Sequence, residues 1–150
     1  MSLDISNLAT QDNADTGVWM PVVLYGKQCD FDLKILGDDS DTVIKHSRKA
    51  MRKYDGTMSD IGKGKVPDDK TLDEIKNDEN EAVLIRIAGI RGWKDDGKGR
   101  KEEPVTLNGK ELKNDADSYR LLLSKIPAIK EFVLKASRDR ANFLSRPSGN

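Results

Sequence analysis

The chain has 150 residues, with 26 basic side chains against 26 acidic ones, 36% apolar and 35% charged. A zero net charge excludes a general electrostatic pull toward nucleic acid or anionic membrane. A single cysteine, Cys29, excludes an internal disulfide and any need for an oxidising compartment.

The length suits one domain with a real core, at about 100–200 residues per domain. The apolar share falls below the usual ~45–50%, so part of the chain is expected outside that core. The start, MSLDISNLATQDNAD, has neither the basic nor the apolar region of a signal peptide. The longest apolar run is well short of the ~18 residues of a membrane span. A soluble, cytoplasmic protein is expected.

Residues 1–16 are polar and without period, which predicts a flexible arm. In GVWMPVVLYGKQCDFDLKILG, two β-rich runs flank Gly26-Lys27-Gln28, predicting a hairpin. Pro21 cannot donate to a ladder, so its strand is expected at an edge or bulged. Asp39, Ser40 or Asp41 then caps a helix whose stripe runs through Val43, Ala50 and Tyr54. This gives a hairpin-and-helix unit over 17–54.

The Gly- and Asp-rich stretch 55–70 predicts a loop. From Thr71, residues Leu72, Ile75, Ala82, Val83, Ile87 and Ile90 recur at three and four, predicting a helix capped by Asp69 or Thr71 and stopped at Gly92. Residues 93–112 read as a polar connection with one short strand at Val105–Leu107. A further helix is expected from Asn114 or Asp115. A last helix, opened by Pro127, places Ile129, Phe132, Val133, Ala136 and Phe143 on one face. The predicted fold class is α+β: a small N-terminal β-hairpin with a helix, then an α-helical C-terminal half over 71–144, all in a single domain 17–144. Residues 145–150 are predicted to be a flexible tail.

Chemical motifs fail on spacing. A phosphate loop needs Gly, four residues, then Gly-Lys-Ser/Thr. Here five residues separate Gly56 from Gly62, and Gly64 stands where the hydroxyl belongs. Asp38, Asp39 and Asp41 lack the ligand spacing of a calcium loop and read as caps. His46, the lone histidine, lies among Lys45, Arg48 and Lys49, so a Cys29–His46 or Ser–His pair has little support. Zinc lacks ligands. The basic clusters KAMRK and KGRK have no interleaved aromatics to stack on bases. No catalytic residue, metal or cofactor is expected, and the protein is not expected to be an enzyme.

Over about residues 83–144 an apolar segment runs into GIRGWKDDGKG. PVTLNGKEL, the Leu-rich SYRLLLSKIP and a final ASRDRANFL follow. This order resembles the tail assembly chaperones of long-tailed (siphovirus-like) bacteriophages, and the hairpin leading to GDDSD resembles their start. The resemblance implies a non-enzymatic protein in the cytoplasm of the infected bacterial host. It would bind the tape-measure and major tail-tube proteins, prevent premature polymerisation and leave before the virion is complete. Many members are also extended by a programmed ribosomal frameshift.

The alternatives are a structural minor tail or tail-completion protein retained in the virion, and a regulatory adaptor. Self-association is a further candidate partnership; nucleic acid and membrane are not. The candidate partner-binding residues are Trp93, Phe132, Arg138, Arg140, Phe143 and Leu144. For the last of these two readings compete: Phe143 caps the core, or Phe143 and Leu144 form an apolar handle flanked by Arg138 and Arg140. The handle is the expectation, because Asp139, Arg140 and Asn142 leave little apolar surface to hold the helix down.

Overall fold

The computed structural model describes residues 2–95 and 97–144. The expected 145–150 tail lies outside them. An antiparallel four-stranded sheet in the order β1-β2-β3-β4 is built from Val18–Leu24, Lys27–Ile35, Ile87–Asp95 and Arg100–Glu103. A second hairpin, β5 (Val105–Leu107) with β6 (Lys110–Leu112), follows it. Five α-helices complete the described chain: α1 Gln11–Thr16, α2 Asp41–Gly62, α3 Asp69–Leu84, α4 Ala116–Lys125 and α5 Ala128–Arg138. The mixed helix-and-sheet character agrees with expectation; the order of elements does not.

β1 is an edge strand, and its register slips between Pro21 and Val23. The hairpin turns at Tyr25-Gly26, both at positive φ (54° and 76°), one step before the expected position. Such a two-residue turn matches the twist of the paired strands. The β5–β6 turn, Asn108-Gly109, has the same geometry, with φ of 51° and 79°.

The C-terminal half is not all helical. The helix expected to run to Gly92 ends at Leu84, and residues 87–95 form the central strand β3. The cause of the misreading is local. Lys34 pairs with Gly89 but Ile35 pairs with Ile87, so β3 carries one extra residue, Ala88. That bulge puts Ile87 and Ile90 on the core side three residues apart, 5% and 7% exposed. A bulged strand thereby imitates helical spacing.

The core lies between one sheet face and α3, α4 and α5. Leu33 and Ile35 of β2, Val22 of β1, Leu122 of α4, and Ile129 and Val133 of α5 are all buried there. The expected stripe of the last helix therefore faces inward. Asp115, as expected, caps α4 by accepting from the Ser118 N–H at 2.8 Å.

Two further expectations change. The 1–16 arm contains α1, whose Ala14 is buried. Asp15 accepts from the Asp41 N–H at 2.8 Å, so α1 supports the start of α2 beside the Ser40 cap. The 55–70 loop is largely helical: α2 runs on to Gly62, and α3 starts at Asp69 with Asp68 as its cap.

Together α2 and α3 form a two-helix arm. The only buried residue of α2 is Val43 in its first turn, and those of α3 are Val83 and Leu84 in its last. Between these ends the helices meet along a thin seam of half-buried Ala50, Tyr54, Thr57, Thr71 and Ile75. Docking against α3 explains why Gly56 does not stop α2, despite a cost of about 1 kcal/mol for an interior glycine.

Candidate functional site

The candidate residues fall into three places. Phe143 is the clearest correction. α5 ends at Arg138, the chain turns, and a 3-10 turn over Arg140–Phe143 folds back on the body. Phe143 is 1% exposed, so the handle reading is overturned and the aromatic belongs to the core. Burial of Phe143 holds the return, and polar groups fix its path. Asn13 Nδ2 donates to the carbonyls of Phe143 and Leu144, each at 3.1 Å. Asn142 donates to the Ala136 carbonyl at 3.0 Å. Arg140 makes a two-pronged bond to Asp39, at 2.7 and 3.0 Å, which holds that carboxyl below the usual range. Arg140 thus pairs within its own chain, from a largely exposed position. Arg138 is exposed, and Leu144 is 39% exposed at the rim.

Phe132 occupies the second place. Half-buried on α5, it lines a cleft of about 610 Å³ between α5 and the edge strand β1. Met20, Val23, Leu24 and Tyr25 form the strand wall; Phe132 and Ala136 form the helix wall, with Glu131, Lys135 and Asp139 among the lining charges. Val23 and Tyr25 are 46% and 85% exposed. An edge strand offers unpaired backbone groups. Here they adjoin an apolar groove, a geometry suited to holding a segment of another chain.

The third place is the sheet face turned away from α4 and α5. Trp93 Nε1 donates to Asp32 Oδ2 at 2.7 Å, and Arg91 Nε donates to the same oxygen at 3.0 Å. The Arg91 guanidinium lies between two indoles, 4.3 Å from the Trp19 ring centre and 4.9 Å from that of Trp93. Arg100 covers Trp93 at 4.7 Å. The pairings Trp19 with Lys34 and Lys34 with Gly89 put these side chains on one face. A Cβ on Gly89 would lie 2.7 Å from Trp19 Cη2, so only glycine leaves room for the indole.

The Asp32 carboxylate is buried, with Oδ1 lacking a hydrogen-bond partner among the described residues. Burying a charge is tolerable only when it is paired, and Arg91 with Trp93 supplies that pairing. This cluster corrects one expectation: Arg100, in KGRK, does meet an aromatic side chain. Yet its own guanidinium groups pack on the indoles, which lowers their value as stacking platforms for bases.

Asp38, Asp39 and Asp41 do not converge. Asp38 accepts from Arg86 Nε at 3.0 Å, and Asp39 is held by Arg140. No cluster of three His, Cys, Asp or Glu side chains able to hold a metal occurs among the described residues. Nor, among them, is any helix long and apolar enough to cross a membrane.

The sequence reading missed Trp19, Asp32 and Arg91 as a group, and it missed the strand wall of the cleft. The alternation of Trp19, Pro21 and Val23 with Met20 and Val22 was the available signal, once β1 was taken as an edge. Comparison with known proteins adds nothing to these geometries: no family profile, no curated protein and no solved structure matches the chain.

Proposed function

We propose that this protein is a phage tail assembly chaperone. It binds an apolar segment of the tape-measure or tail-tube protein, delays tube polymerisation, and is absent from the finished virion. The observation that carries the binding role is the cleft between β1 and α5, an apolar groove beside an edge strand, with Val23 and Tyr25 exposed at its mouth. Pro21 and the slipped register limit how far another strand can pair along that edge, which favours reversible capture over permanent sheet extension.

The phage setting rests on the resemblance of residues 83–144. Its middle and end, PVTLNGKEL through ASRDRANFL, carry that resemblance more than the segment before Trp93, which is a strand rather than a helix. Under this reading the partner is protein and the setting is the cytoplasm of the infected host.

Deleting the gene is expected to give phage heads without tails, and purified virions are expected to lack the protein. Stoichiometric protein in virions would overturn the reading in favour of a structural minor tail or tail-completion protein. The binding site has its own test. Val23→Lys with Tyr25→Asp should abolish co-purification with the tape-measure or tube protein while leaving the melting temperature near that of the parent. Retained co-purification would move binding away from the cleft.

A further inference from the structure

Residues 2–9 are exposed throughout, yet several are large and apolar: Leu3 is 87% exposed, Ile5 61% and Leu8 62%. The bonds that shape this leading segment are local. Ser6 donates its N–H and its hydroxyl to Asp4, and a 3-10 turn over Ser6–Leu8 is closed by the Leu8 N–H on the Ile5 carbonyl. A single such turn at the surface is weak and unwinds readily. Extended, the segment projects Leu3 and Ile5 on one side and Asp4 on the other, the alternation of a strand.

The β1–α5 cleft is an apolar groove within its reach. α1 roots the segment: Asn13 bonds the Phe143 and Leu144 carbonyls, and Asn142 lines one end of the cleft. Summing the Asn13 side chain, its bond and the backbone on either side puts Thr10 at most about 18 Å from Asn142. The chain from Thr10 back to Ile5 spans up to about 18 Å when extended, so Ile5 meets that end even at the limit. Leu3 then reaches about 7 Å deeper, toward Met20, Phe132 and Ala136.

Direction agrees with reach. Ser137 bonds Leu36, and Ile35 pairs with Val18, so the C-terminal end of α5 stands beside the start of β1. A segment entering there and running back toward Tyr25 lies antiparallel to β1, along the free edge of the sheet.

We infer that residues 2–9 fold back into the cleft of their own chain, as a tethered occupant that any captured segment must displace. The inference rests on the cleft being the capture site, and not on the phage setting. Tethering favours the chain's own segment over that of a second copy, because a short flexible link supplies an effective concentration in the millimolar range. Millimolar intrinsic affinity then fills the cleft about half the time and weakens capture about twofold.

A spin label at Ser2→Cys, in a Cys29→Ser chain enriched in nitrogen-15, tests it. The Val23 and Phe132 amide signals are expected to lose about half their intensity or more, with Met58 unchanged. Leu3→Asp with Ile5→Asp should restore them. Absent broadening overturns the inference, and so does broadening that survives this change, which reflects nearness of the tether alone. A mixture of spin-labelled chain with enriched, unlabelled chain separates the copies: equal broadening there makes a second copy the occupant and overturns docking within one chain. Co-purification with the tail partner is scored apart. Capture that persists without the spin-label effect overturns this inference and leaves the cleft as the capture site. The spin-label effect without capture supports the docked segment and overturns the capture reading alone.

Discussion

Phe143 and Met58 are both large apolar side chains in polar stretches of sequence, and the structure treats them in opposite ways: 1% of Phe143 is exposed against 64% of Met58. Phe143 belongs to a body in which burial does the holding. Met58 belongs to an arm whose helices are joined by a thin seam, two ion pairs and a tyrosine hydrogen bond. The contrast shows how a chain with a modest apolar share builds a stable fold. It concentrates apolar contacts around the sheet and leaves the arm to weak, adjustable forces.

The sharpest way to break the contrast is at Phe143. Phe143→Ala should cost about 3–5 kcal/mol, the range for a buried Phe, read from denaturant unfolding. A loss below about 1 kcal/mol would mean the 3-10 turn detaches freely and the body is not closed there. Met58→Ala, its counterpart in the arm, should change stability by less than about 0.5 kcal/mol.

Asp32→Ala comes next, with an expected loss of about 2–3 kcal/mol, because it leaves the Arg91 guanidinium and the Trp93 N–H without their shared acceptor. Trp fluorescence should shift in the same variant, since both indoles pack on Arg91. A silent variant would show that stacking alone holds the cluster.

The smallest effect is expected at Asp78→Asn, less than about 1 kcal/mol globally, because exposed ion pairs contribute little. Its signature is local: faster amide exchange between about residues 50 and 78 with the sheet unchanged.

pH sharpens the same point. Hydrogen bonds from Tyr54 and then Lys53 hold the Asp78 carboxyl below its usual 3.8. Its contribution is therefore present above that value and lost as pH falls through the lowered one. Bonds to Glu74 and Asp78 raise Lys53 above 10.5, and burial with the Asp78 bond raises Tyr54 above 10.0. Their contributions hold below those values and disappear in stronger alkali. The arm should therefore loosen at both ends of the scale, at pH below 3.8 and in alkali beyond 10.5, read as a partial loss of helical circular dichroism. The sheet should outlast it at each end.

How much was legible beforehand depended on whether a segment's structure was set locally. The β1–β2 hairpin, the Asp115 cap, the Val105–Leu107 strand and the inward stripe of α5 follow from short-range pattern, and all were readable. β3 was not, because the Ala88 bulge turned a strand's period into a helix's. The second hairpin was missed although Asn108-Gly109 is a strong turn signal. The distal half of α2 was read as a loop from Gly56 and Gly62, where contact with α3 overrides propensity.

At the candidate sites, Phe132 was legible as an aromatic on the last helix. Its cleft was not, since the opposite wall lies more than a hundred residues earlier. Phe143 was misassigned because what fixes its path back to the body, Asn13 and Asp39, is equally remote.

Asn13 and Phe143 are joined across 130 positions, and the same junction includes Gly37, where an added Cβ would stand 2.7 Å from Ala14 Cβ and 3.3 Å from Phe143 Cδ2. A ribosome makes this chain from the other end. The first helix and the β1–β2 hairpin emerge early, yet the surface they offer at Ala14 and Gly37 waits for almost the last described residues to cover it. Closing so long a loop costs entropy that no nearby contact has repaid. Ser137 Oγ, which bonds the Leu36 carbonyl at 2.7 Å, arrives equally late. Translation therefore delivers an open clamp, and the body locks only once residues 137–143 have been made.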